Sequence, residues 1–211
     1  MRNNTIGEID ALRWLPQELH QIELTSLGGA DSPAYRHPLG FIHIAIQSQP
    51  IRFHIWPLLN KHQSQDESLE YHNHTFGFTS YVLCGAVEDQ AVEVIDDELG
   101  TQQLYEVTYR DGNSVLHPTG RFVRLSESQS RITRAGGGYD VPAFAFHRSK
   151  AGAGTITILA VTPNLGSRPL VVGPVDVSYP IEFLRQPCPK ETVQAELIAI
   201  LRSSLNSRIY E

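Results

Sequence analysis

Residues 71–95 read YHNHTFGFTSYVLCGAVEDQAVEVI. From Phe78 onward the run is rich in β-branched and aromatic side chains, which suit a pleated, half-buried surface. Gly85 interrupts it, so the stretch reads as a strand, a bend and a second strand. Residues two apart in a strand share a face. On that parity His72 and His74 fall with Phe76, Phe78, Ser80, Val82 and Cys84 if no bulge intervenes. Two imidazoles then stand at the mouth of an apolar interior, placed to reach one ion together. Taken alone, a His-x-His pair describes a surface loop equally well.

The neighbouring segments repeat the strand pattern. GFIHIAI (40–46) and IRFHIW (51–56) form a strand pair broken by Ser-Gln-Pro, and NKHQSQDESLE (60–70) is a polar loop. QQLYEVTYR (102–110), SVLHPTGRFVRL (114–125), GTITILAVTP (154–163) and PLVVGPVDV (169–177) are further strands. Turn signals recur roughly every ten residues, the pattern of an all-β sandwich or barrel. There is no βαβ alternation to suggest a parallel doubly wound sheet and no internal repeat. Helix is expected only at the ends, over 9–20 and over 190–206. In the second, Val193, Leu197, Ile200, Leu201 and Leu205 fall on one face.

Composition narrows the function classes. With 211 residues and 41% hydrophobic content, the chain can bury a sizeable core. A formal net charge of -6 argues against nucleic acid or anionic membrane as partner. The start, MRNNTIGEIDALRW, lacks the apolar run of a signal peptide, and no stretch approaches the ~18 apolar residues of a membrane span. A cytoplasmic location is expected. Two cysteines, Cys84 and Cys188, make no disulfide framework, and Cys84 reads as a small buried residue. Nine histidines against two cysteines make any metal site histidine-based.

A metal held by neutral imidazoles needs at least a third ligand. GGGYDVPAFAFHRS (136–149) supplies it in His147, with glycines for a sharp turn and Pro142 fixing the chain before the strand. Together the two segments resemble the cupin superfamily. The first cupin motif, G(X)5HXH(X)3-4E(X)6G, is matched by His72, His74 and Gly85, with Phe78 at the glutamate position and Asp66 at the opening glycine. The second, G(X)5PXG(X)2H(X)3N, is matched by Gly136, Pro142 and His147, with Phe144 for the glycine and Ala151 for the asparagine. The resemblance covers about residues 66–151.

This resemblance implies a cupin barrel, a double-stranded β-helix or jelly-roll, over residues 36–180. An N-terminal extension with a helix (1–35) and a C-terminal helical extension (181–211) flank it. It implies His72, His74 and His147 as metal ligands. Phe78 cannot coordinate, so the site is similar to the three-histidine ferrous site of the cysteine dioxygenase-like cupins. IRFHIWPLL and FHRSKAGAGTITILAVTPN also resemble segments of those enzymes. One divalent metal per chain is expected: Fe(II) by resemblance, while Zn, Ni, Cu or Mn fit the spacing alone. Two features of that group are missing. The positions of its Ser-His-Tyr relay are Thr157, Leu159 and Val161, and its cysteine–tyrosine crosslink has no counterpart.

The expected activity is that of a mononuclear non-haem iron oxygenase acting on a small amino-acid- or thiol-like molecule, with dioxygen as co-substrate. The alternative is a zinc or other-metal cupin that is a non-redox isomerase or lyase, or a small-molecule-binding module. A carboxylate-bearing substrate needs a cation. Arg52 shares a strand face with His54 and Trp56, and Arg36 precedes the first strand; Arg52, Arg36 and His54 are the substrate-binding candidates. His43 and His54 lie in adjacent strands and can pair. Tyr139, in the glycine-rich turn, is the catalytic candidate for a hydrogen bond to substrate or dioxygen. Glu70 is the one carboxylate near enough to add a fourth ligand, and His117 reads as a turn residue. The C-terminal helix and any free strand edge offer surfaces for a homodimer.

Overall fold

The computed structural model describes residues 15–17, 19, 22–60, 66–110 and 112–209. The helix expected over 9–20 lies largely outside the described residues. Strands β1 (Ala34–Arg36), β2 (Ile42–Ile46), β3 (Ile51–Ile55), β4 (Phe78–Cys84), β8 (Gly138–Val141) and β10 (Ile156–Val161) form one antiparallel sheet, ordered β1-β2-β3-β10-β4-β8. Strands β5 (Ala86–Asp96), β6 (Gln102–Arg110), β7 (Asn113–Arg134), β9 (Phe146–Ala151) and β11 (Leu170–Pro174) form the second, ordered β11-β6-β7-β5-β9. β12 (Ile181–Phe183) adds to β7, and one helix, α1 (Lys190–Ile209), follows. The chain is an all-β jelly-roll-like barrel with a C-terminal helix. No helix among the described residues is long and apolar enough to cross a membrane.

Alternation along the first sheet explains its two faces. Ile42, Ile44, Ile51, Phe53, Ile55 and Ile158 pack outward into a core shared with Val193, Leu197 and Ile200 of α1. The intervening His43, Arg52, His54 and Leu159 face inward and line a cavity between the sheets. α1 is thus a cover for the first sheet, and its apolar face is the expected one. Leu205 lies beyond the described side chains.

Glu196 lies on that face and is fully buried. Its carboxylate accepts the backbone N–H groups of Leu58 (2.7 Å), Leu59 (3.0 Å) and Asn60 (2.8 Å). The helix therefore pins the loop that leaves β3 just after Trp56.

One parity expectation is corrected. Val82 pairs with Thr157, but Cys84 pairs with Ile156, so β4 carries one extra residue at this end. Such a bulge turns the following side chain to the other face. Cys84 and Leu83 therefore join the outer core beside α1, not the interior. Gly85 follows at φ 75°, and a Cβ there would lie 2.4 Å from Thr155 Oγ1. Only glycine fits a left-handed backbone in such a close approach.

Candidate metal centre

His72 and His147 come together through the main chain. The His72 N–H donates to the His147 carbonyl (3.0 Å), and the His147 N–H donates back to His72 (2.9 Å). His72 also bridges to Val171, so this short segment links the second sheet's two edge strands, β9 and β11. Asn73, between the two histidines, is buried; its Oδ1 accepts the Leu170 N–H at 2.7 Å. Alternation then returns His74 to the face of His72. The His74 carbonyl accepts the Phe144 N–H at 2.7 Å. Phe144, at the glycine position of the resemblance, takes φ 64°. A left-handed phenylalanine costs about 1–3 kcal/mol, so the turn keeps its shape at some strain.

The outcome is a triad. One ring nitrogen each from His72, His74 and His147 lie within 4.8 Å of one another. Ring centroids are 4.8 Å (72–74), 5.0 Å (72–147) and 5.4 Å (74–147) apart. Phe78 packs its ring 5.5 Å from His74 and 5.7 Å from His147. It fills the glutamate position of the resemblance with an apolar wall. Glu70 stays out of the cluster. Its carboxylate meets Lys150 at 3.0 Å and Arg148 at 3.5 Å.

Hydrogen bonding sets the tautomers. His147 Nδ1 lies 2.8 Å from Asp89 Oδ1, and an ionised carboxylate only accepts, so the proton sits on Nδ1. Asp89 also accepts from Ser149 Oγ (3.0 Å) and Arg131 (2.9 Å). Burial alone would raise the Asp89 carboxyl; the His147 hydrogen bond and the nearby His147 and Arg131 outweigh it and hold it below the usual range. His72 Nδ1 lies 2.8 Å from the Glu70 carbonyl oxygen, which fixes its proton in the same way. Both Nε2 atoms therefore carry lone pairs. His147 Nε2 is buried with no hydrogen-bond partner.

Burial pushes the His74 imidazolium well below its ordinary range and His72 down to about 4, and neighbouring histidines add to the effect. Neutral rings are the form that ligates a metal. A buried nitrogen lone pair without a partner costs about 1–3 kcal/mol. A divalent ion is a group that three converging lone pairs would satisfy, and the carboxylate behind His147 is the support such ligands commonly have. The residues present fit the metal that the resemblance implies.

Beside the triad lies a cavity of about 660 Å³. Arg52, His54 and Tyr139 line it. The Arg52 guanidinium rests 4.2 Å from the centroid of the Phe76 ring. His54 faces His43 across the β2–β3 ladder, ring centroids 5.5 Å apart. Tyr139 is on β8 instead of in a turn. Burial raises its phenol, which lies beside the Ser80 and Ser149 hydroxyls. Arg36 is on β1 and is not among the residues lining the cavity. Two more arginines line it: Arg168, which is paired with Glu106, and Arg185, just after β12, a strand too short to be read from sequence. His117 lies within β7, 2.9 Å from Thr108 Oγ1. Asp89 was also missed, although an aspartate flanked on its own parity by Val87 and Ala91 was a usable signal. Compared with models of known protein families the chain matches none, and no curated protein matches it.

Proposed function

We propose that His72, His74 and His147 hold one divalent metal and that the protein is a mononuclear non-haem iron oxygenase of a small, carboxylate-bearing molecule. The observation that supports the metal is the buried, unpartnered Nε2 of His147, on a ring whose other nitrogen is fixed by Asp89. The resemblance to three-histidine cupins supports iron. Ferrous iron bound by these three histidines would supply the chemistry of bringing a chelating substrate and dioxygen together.

The chain's own residues do the remaining work. Asp89 keeps the proton on His147 Nδ1, and the Glu70 carbonyl does so for His72. Phe78 excludes water and a fourth protein ligand from one side. Arg52 offers a cation to a carboxylate, and Tyr139 holds a proton on a buried hydroxyl facing the cavity. The resemblance implies an amino-acid- or thiol-like substrate; the size and lining of the cavity bear on that class more directly.

Three imidazoles are equally the donor set of catalytic zinc sites, which supports a second reading, a non-redox zinc cupin or binding module. Element analysis of the purified protein, followed by anaerobic reconstitution, separates the two. One equivalent of metal is expected in the wild type and none in His74→Ala or His147→Ala. Wild-type protein that takes up no iron, zinc, copper, nickel or manganese ends the metal reading. Zinc alone ends the oxygenase reading.

A further inference from the structure

Two guanidiniums on the cavity wall, Arg52 and Arg185, have no acidic partner among the described residues. Arg121, Arg131, Arg148 and Arg168 each sit on a carboxylate, of Asp96, Asp89, Glu70 and Glu106. Among the described residues no carboxylate comes within ion-pair distance of Arg52 or Arg185, although both are largely removed from water. Each is disfavoured by burial, and the charge of Arg185 adds to the strain on Arg52. Arg185 is held in place by Ser114 Oγ (2.8 Å) and by His37 Nε2 (3.3 Å). Asp66 also lines the cavity, but its carboxylate is engaged by the Ser68 N–H (2.9 Å) and hydroxyl (2.6 Å). Two desolvated cations with no anion beside them among the described residues call for an anionic ligand.

The same cavity has an aromatic wall. Phe41 stacks on His37 (centroids 4.3 Å apart, planes 7° apart) and meets His54 at 4.4 Å and Trp56 at 5.2 Å. Burial keeps His37 and His54 neutral, lowering both well below the ordinary imidazole range. Flat π faces of this kind favour a ring offset-stacked or edge-on against them. A volume of about 660 Å³ suits a ligand of drug-like size. It is far more than an amino acid as small as cysteine needs.

Resting on the reading of this cavity as a substrate site, we propose that its ligand is a flat aromatic carboxylic acid. The carboxylate docks on Arg52 and Arg185, and the ring system lies against Phe41, His54 and Trp56.

Binding is measured by titration calorimetry on metal-free and metal-loaded protein. The probes are 1-naphthoate, its neutral amide 1-naphthamide, cyclohexanecarboxylate and L-cysteine. 1-Naphthoate is expected to bind at least tenfold tighter than the other three in metal-free protein. Arg52→Gln and Arg185→Gln are each expected to weaken 1-naphthoate about 10–100-fold, the worth of a charge-assisted hydrogen bond, while leaving 1-naphthamide unchanged. Equal binding of acid and amide by the wild type overturns the proposal, a comparison that needs no variant to fold. So does tightest binding by cyclohexanecarboxylate or L-cysteine. Loss of metal uptake with retained 1-naphthoate binding sinks the metalloenzyme reading and leaves this one standing. Metal uptake without 1-naphthoate binding does the reverse.

Discussion

The ring of His147 has Nδ1 committed to Asp89 and Nε2 buried without a partner. Its value as a ligand therefore depends on a residue 58 positions away in the chain. Asp89→Asn keeps the shape but removes the charge and can present an N–H to the ring. It is expected to weaken metal binding about 10–100-fold, measured by competition with a chelator, with the fold intact by circular dichroism. Unchanged affinity would show that Asp89 serves only Arg131 and Ser149. The spacing of His72, His74 and His147 was legible in the sequence. Their tautomers were not: the β5 carboxylate behind His147 is brought close only by strand pairing, and the contact of His72 with the Glu70 carbonyl, two residues back, depends on a local backbone conformation that the residue types do not dictate.

Among elements, α1 does more than cover an apolar face. The sequence shows Val193, Leu197 and Ile200 at helical spacing, and the structure confirms that stripe. It does not show that Glu196, on the same side, closes the loop after β3. Four donors converge on that carboxylate, the fourth being Asn60 Nδ2 at 3.3 Å. Glu196→Ala leaves three backbone N–H groups without acceptors and is expected to cost about 3–5 kcal/mol by urea unfolding; Glu196→Gln is expected to cost about 1–3 kcal/mol. A loss under 0.5 kcal/mol in both would mean that water replaces the carboxylate. The second half of β7 was missed for a related reason. SESQSRITR (126–134) is polar, with Ser130, Arg131, Ile132 and Arg134 exposed, so no burial pattern marks it. Its ladder to β5 holds it extended.

Across the whole molecule, the two sheets enclose a cavity whose walls carry a row of uncharged histidines. Burial lowers His43 from 6.5 to about 3, and the charges of Arg52 and Arg185 add to the shift. His37 and His54 shift in the same direction. The unfolded chain protonates these rings near pH 6.5 while the folded protein does not. The stability they contribute is full above pH 6.5 and is lost as pH falls toward the folded values. Each ring adds a slope of about 1.4 kcal/mol per pH unit in that window. Metal-free protein is expected to lose urea resistance steeply between pH 6.5 and 5, before most carboxylates titrate. His43→Gln should flatten that slope by about one proton; an unchanged slope would mean that His43 is solvated in the folded state.

The fold class, the bend at Gly85, the covering helix and the three histidines are legible in the amino-acid sequence. All of these are written in local spacing: period two in strands, period 3.6 in the helix, and a ligand pattern within each of two short segments. Which groups stand behind and around them is set by long-range packing. The bulge that turns Cys84 outward, the Asp89 support of His147 and the place of Arg185, not Arg36, on the cavity wall depend on register between strands distant in sequence. Register is set by the sum of many packing and hydrogen-bond terms, and no single segment carries it.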